Sequence, residues 1–180
     1  MNNNTKKLTY TAMMIAITAA LSQVSIPIPI SPVPVTLQTA AVILAGIILG
    51  PRQGAAALLG YLLLGCMGLP VFSQGKAGPG VLLGPTGGFL LGFIAAAFII
   101  GWLLRRKDSL ERAYTAVLAG IAVVYLFGIV HFAIVTSSSL SAAFMLAALP
   151  YLPLEAVKIF IFTPAALRVR TRLSESEGVV

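Results

Sequence analysis

Acidic side chains are scarce in this sequence: five Asp and Glu among 180 residues, beside one His and one Cys. With so few, no second acid stands ready to pair with a catalytic carboxylate. No H-E-x-x-H motif and no Cys–His cluster occurs. Catalytic residues, metal ligands and bound cofactors are therefore not expected. Cys66 lies inside an apolar run, cannot form an intrachain disulfide, and reads as a small packing residue. A nucleotide loop is missing as well, because Gly84-Pro85-Thr86-Gly87-Gly88 has neither the lysine nor the spacing. His131, alone in an apolar stretch, reads as a hydrogen-bonded residue between helices rather than a ligand. Charged residues of both signs reach only 9%, against roughly a quarter in soluble domains. That shortage excludes a water-soluble fold.

What fills the chain instead is hydrocarbon, with 58% of residues hydrophobic. Six apolar stretches run at about 8–24, 36–49, 53–67, 87–104, 113–135 and 145–167. At about 20 residues per crossing, six spans occupy nearly everything from 1 to 180, as one six-helix membrane domain. The expected fold class is all-α, an integral protein of the plasma membrane. Lys6 and Lys7 before the first stretch give it the look of a signal peptide, but further spans follow, so an uncleaved first span is the better reading. Gly50-Pro51-Arg52 reads as a tight turn between the second and third stretches.

The net charge of +7 does not point to nucleic acid, because the basic residues sit in short groups at the ends of apolar runs. With the N-terminus inside, Lys6, Lys7, Arg52, Arg105, Arg106, Lys107, Arg112, Arg168, Arg170 and Arg172 all fall on the inner side. The outer loops hold only Lys76. This asymmetry predicts that the N- and C-termini are both cytoplasmic. The outer segments have their own character. Residues 26–35 carry four prolines and no charge, and 68–88 is rich in Gly and Pro. Such stiff, half-apolar segments are expected to fold over the helices as a lid or wall.

Glu155 and Lys158 are the one ionisable pair at membrane depth. Three residues apart, they share a helix face. A charge near mid-bilayer costs ~2.5–3.5 kcal/mol on insertion scales, so a retained pair marks a functional site; an ion pair that only orders its helix is the alternative. Pro150-Tyr151-Leu152-Pro153 precedes the pair and places Glu155 in a first helical turn, where an anion is favoured. Thr36, Gln38, Thr39, Ser73, Gln74 and Thr86 are expected at the same outer end. Phe72 and Tyr151 would supply aromatic walls for a small polar ligand. In the first span Ala12, Ala16 and Ala20 recur every four residues, a spacing that lets another membrane helix approach closely; alanine's abundance in such helices is the alternative explanation.

These residues carry a family resemblance. Pro32-Val33-Pro34-Val35-Thr36-Leu37-Gln38-Thr39, Tyr61-Leu62-Leu63-Leu64-Gly65, Gly68-Leu69-Pro70-Val71-Phe72, Gly84-Pro85-Thr86-Gly87-Gly88-Phe89 and 150–158 occur in order over nearly the whole chain. Together the sequence resembles the biotin-specific S components of energy-coupling-factor (ECF) transporters, the BioY family. The resemblance implies six helices and a vitamin site near the extracellular side. It further implies a first helix whose alanine face meets a transmembrane T component, and two cytoplasmic ATPase subunits. On that basis the substrate-binding residues are expected to be Thr36, Gln38, Phe72, Ser73, Thr86, Gly87, Gly88, Tyr151, Glu155 and Lys158. Glu155 would accept from the ureido N–H groups, while Gly87 and Gly88 would let backbone N–H groups approach the ligand. Lys158 would either neutralise Glu155 or attract the biotin carboxylate. Two departures stand out: the family usually shows Gly-Asp where this chain has Leu154-Glu155, and a more glycine-rich run in place of 73–77. The rival reading is a small-solute carrier or channel working alone, which calls for polar residues through several spans.

Overall fold

The computed structural model describes residues 2–105 and 109–177; Arg106 and Lys107 of the inner basic group lie outside the described residues. Six long helical bodies build it. The first three are α1 (Asn3–Gln23), α2 (Gln38–Leu44) continued by a π turn (Ala45–Leu49), and α3 (Gly50–Cys66). The others are α5 (Gly87–Leu103), α6 (Leu110–Val135) and α8 (Leu152–Glu177). Two short helices, α4 (Gly80–Leu83) and α7 (Leu140–Ala147), sit in the connections. Three helical runs, Gln38–Cys66, Leu110–Val135 and Leu140–Ser174, are long and apolar enough to cross a membrane, and Gly87–Leu103 is a shorter apolar helix. The outward faces match a hydrocarbon solvent: Phe160 is 72% exposed and Ile134 71%.

The run from Gln38 to Cys66 is not one rod. Gly50 takes φ +75°, a value that costs a side-chain-bearing residue but not glycine, and the chain doubles back there. Pro51 follows at the helix start, where its missing N–H is not needed. The reversal is tight: a methyl on Gly54 would stand 2.7 Å from the Ala45 carbonyl. At the far end of the same hairpin, Gln38 Nε2 donates to Tyr61 Oη at 2.8 Å. Arg170 of α8 caps the π turn that follows α2, Nη1 donating to Ile47 O at 2.9 Å. Arg170, read from the sequence as one more inner-side cation, is in fact only 6% exposed. Its charge helps to close the core.

Helices α5 and α6 pack along glycines. A methyl on Gly92 would lie 3.0 Å from Val124 Cα, and one on Gly128 would enter the Phe89 ring. In lipid, where apolar burial gives no drive, such close backbone approach is what holds helices together. Pro164 inside α8 removes one N–H and frees the Phe160 carbonyl, to which Tyr114 Oη donates at 3.3 Å.

The outer segments are structured. Residues 25–36 form an antiparallel hairpin of β1 (Ser25–Ile28) and β2 (Ser31–Thr36), irregular between Ile26 and Ile28. Every strand of a two-stranded sheet is an edge, so Pro27, Pro32 and Pro34, which lack N–H groups, are tolerated there, and Pro29 falls in the turn. A strand pair was not legible as such among those prolines. The sixth apolar stretch also divides: α7 ends at Ala147, a single 3-10 turn covers Leu149–Tyr151, and α8 begins at Leu152. Pro150 and Pro153 explain the break.

Candidate ligand-binding chamber

A chamber with about 730 Å3 of empty space, its open mouth included, lies at the end of the bundle covered by the β hairpin and the 70–86 segment. Its floor and walls come from the starts of α2, α5 and α8 and from the middle of α6.

Glu155 stands in the first turn of α8, 3% exposed, as the proline-bounded start of that helix dictates. One turn on, Lys158 Nζ lies 2.6 Å from Glu155 Oε2. The same ammonium donates to Thr39 Oγ1 at 2.6 Å and to the Thr36 carbonyl at 3.2 Å. Its three protons thus meet three acceptors of the protein. Thr39 in turn donates to Glu155 Oε2 at 3.1 Å. The other carboxylate oxygen, Oε1, is buried and has no hydrogen-bond partner. Leaving such an oxygen unmet is costly, about 1–3 kcal/mol or more for a charged group.

A second polar chain leads away from the chamber. Thr36 Oγ1 accepts from the Gln38 backbone N–H at 3.3 Å and donates to Gln38 Oε1 at 3.1 Å, starting α2. Gln38 Nε2 donates to Tyr61 Oη, which donates to the Val71 carbonyl at 3.0 Å. Phe72, 1% exposed, stands edge-on to Tyr61 with ring centres 5.6 Å apart, and its ring covers Gly65 so closely that a methyl there would overlap it. Tyr151 Oη donates to the Val33 carbonyl and so ties the hairpin to the turn before α8.

Of the residues expected in the site, Thr36, Gln38, Phe72, Ser73, Thr86, Tyr151, Glu155 and Lys158 line this one chamber. Gly87 and Gly88 do not. Gly87 packs on Leu82, and Gly88 on His131 and the Phe127 carbonyl, so both serve close packing at the start of α5. His131 also reaches the Gly84 carbonyl through Nε2 at 3.1 Å and steadies the segment leading to Thr86. Ala12, Ala16 and Ala20 lie exposed along α1, away from the chamber. Sequence reasoning did not assign Lys76, Phe89, Phe93 and Tyr125 to the site, yet all four line it, as does Thr39, which was expected at the same outer end but not named as a ligand contact. Thr39 had a signal, one helical turn beyond Thr36. Tyr125 had none, since only tertiary packing, where its ring stands edge-on to Phe89 of α5, brings that phenol to the chamber. Among the described residues no three His, Cys, Asp or Glu side chains gather as a metal would need.

The arrangement offers one anionic acceptor at depth, an apolar and aromatic middle, and an exposed cation, Lys76, at the end of the 70–76 segment. It suits a ligand with N–H donors at one end and an anion at the other.

Comparison with known proteins agrees with this geometry. The model of the BioY family matches residues 1–175. The chain is 39% identical over 176 residues to the biotin transporter BioY2 of Lactococcus lactis subsp. cremoris, covering 96% of each. It is 38% identical over 147 residues to the biotin transporter BioY of Thermotoga maritima, covering 81% of this chain and 85% of that one. Among solved structures it is similar to the S-component for biotin from an ECF-type ABC transporter, with TM-score 0.88, 29% identity and 95% of each chain covered. Sequence, fold and chamber agree, and the chain belongs to the BioY family.

Proposed function

We propose that this chain is the biotin-capturing S component of an ECF-type uptake system, a transport subunit and not an enzyme. The observation that carries the reading is the unpartnered Glu155 Oε1, buried beside a lysine whose three protons are already taken. An N–H donor on the ligand completes that oxygen's hydrogen bonding, and the ureido ring of biotin supplies two. The apolar bicycle then rests among Phe72, Tyr125 and Tyr151. The carboxylate tail points to the mouth and Lys76, the one other charged residue in the lining. Lys158 thereby neutralises Glu155 and leaves the carboxylate to Lys76.

In the membrane the six helical bodies are six crossings. The helix ends that bear Arg52, Arg105, Arg112, Arg168 and Arg172 are the ends away from the chamber, and these residues are exposed. The positive-inside rule puts them in the cytoplasm with both termini, and the chamber at the extracellular side. The exposed α1 face with Ala12, Ala16 and Ala20 is the docking surface for a T component, and two ATPase subunits supply the energy. The rival, a solitary carrier or channel, needs polar groups through the bundle, whereas here they gather at one end.

The decisive measurement is equilibrium binding of radiolabelled biotin to the purified chain in detergent, without ATPases. Saturable binding that unlabelled biotin displaces supports the reading. Its absence in monodisperse protein rejects it.

A further inference from the structure

Helix α1 contributes no residue to the chamber wall, yet it holds part of that wall in place. At its outer end Ser22 is fully buried, with Oγ against the Val71 carbonyl as well as the Ala19 carbonyl of its own helix at 2.7 Å. Next to it, Gln23 Nε2 donates to Ser22 Oγ at 3.0 Å and to the Phe72 carbonyl at 3.2 Å, and stands 3.4 Å from the Pro70 carbonyl. Three consecutive carbonyls, 70 to 72, therefore face two side chains of α1. The Val71 carbonyl also receives Tyr61 Oη, which is bonded to Gln38 in the chamber. A continuous polar chain runs from the wall of the chamber through Tyr61 and Val71 to α1.

What these contacts hold is short and irregular. Residues 73–75 form a single 3-10 turn in which Gln74 takes φ 62°, unfavourable for a side-chain-bearing residue. Phe72, Ser73 and Lys76 of this segment line the chamber and its mouth. A segment with so little regular structure opens readily unless something outside it fixes its carbonyls.

We propose that Ser22 and Gln23 are positioning residues of the chamber, a latch by which α1 keeps the 70–76 segment closed and sets how fast a ligand leaves. The exposed alanines lie along the side of α1 that also bears Gln23, three residues after Ala20, so a helix that docks there and shifts α1 withdraws the latch. The ligand-release part rests on the biotin reading above; the closure itself does not.

The test compares wild type with Gln23→Ala and with Ser22→Ala/Gln23→Ala, all purified in detergent. Gln23 is exposed, so its single variant keeps the test open even where the double variant fails to fold. Backbone amide exchange of 70–76, read without ligand, is expected to rise about five- to tenfold on loss of these hydrogen bonds, with α5 and α6 unchanged. Biotin dissociation is expected to rise by a similar factor while association is unchanged. Unaltered exchange at 70–76 overturns the proposal, and so does faster exchange with unaltered dissociation. A wild-type chain that binds no biotin counts against the function alone, and the exchange measurement then decides the latch.

Discussion

Glu155 and Lys158 form a unit with an odd sum: three ammonium protons are matched by protein acceptors, while one carboxylate oxygen is not. Replacing Glu155 by Gln is expected to weaken biotin binding at least tenfold, about 1.4 kcal/mol. The loss has two sources, a weaker acceptor for the ureido ring and an unpaired lysine charge in a buried place. Gel filtration must first show the variant folded. Lys158→Ala is expected to weaken binding as strongly, but the double variant should lose much less than the sum, because the lysine acts through its partner. Amidated biotin provides the control: its deficit should shrink in Lys76→Ala and stay the same in Lys158→Ala. Gly65→Ala tests the wall. Its methyl overlaps the Phe72 ring, so binding should fall several-fold, and Phe72→Leu in that background should restore part of it. The acid, the lysine and most of the polar lining were legible in the sequence, because charge inside an apolar run is rare and stands out. The assignment of Gly87 and Gly88 to the ligand was not supported, since a glycine needed for helix packing and one needed for ligand approach look alike in a sequence.

The helices were legible as elements because six apolar runs with charged or Gly-Pro breaks admit few other structures. Less legible were the places where proline governs. Residues 25–36 pair as strands, and the sixth run is cut before α8, both outcomes of contacts that no local pattern reports. Tyr151 joins these two features through its bond to the Val33 carbonyl. Tyr151→Phe should loosen the hairpin, visible as faster amide exchange at 31–36 with α3 unchanged. For α1 the prediction concerns its outward side. Ala12→Leu, Ala16→Leu or Ala20→Leu should reduce biotin uptake by cells at least tenfold while the isolated chain binds as before, because these alanines touch neither the core nor the chamber. Equal loss of binding by the isolated chain would show that the face belongs to the protein's own packing.

Over the whole molecule, the exposed arginines and the chamber occupy opposite ends, which makes orientation measurable. In a Cys66→Ala background, a cysteine at Lys76 should react with an impermeant reagent from outside, and one at Arg52 only after permeabilisation. Labelling of Arg52→Cys in intact cells would invert the topology. The same separation of parts bears on how the protein comes into being. Helices α5 and α6 are neighbours in the chain and lock through their own glycines, so they can associate as soon as both are in the membrane. Helix α8 is synthesised after every other element described, and its Glu155–Lys158 pair finds its remaining partners in Thr36 and Thr39, some 116 to 122 residues earlier. Until α8 meets α2, the pair stands at membrane depth with only itself for a partner, where a lone charge costs ~2.5–3.5 kcal/mol. A ribosome that stops early leaves a bundle without a chamber, and a finished chain that fails to dock α8 leaves the pair without its α2 partners. Ligand binds only the finished form and draws the last step toward completion by mass action. Vitamin supply thus enters the folding of the very protein that collects it.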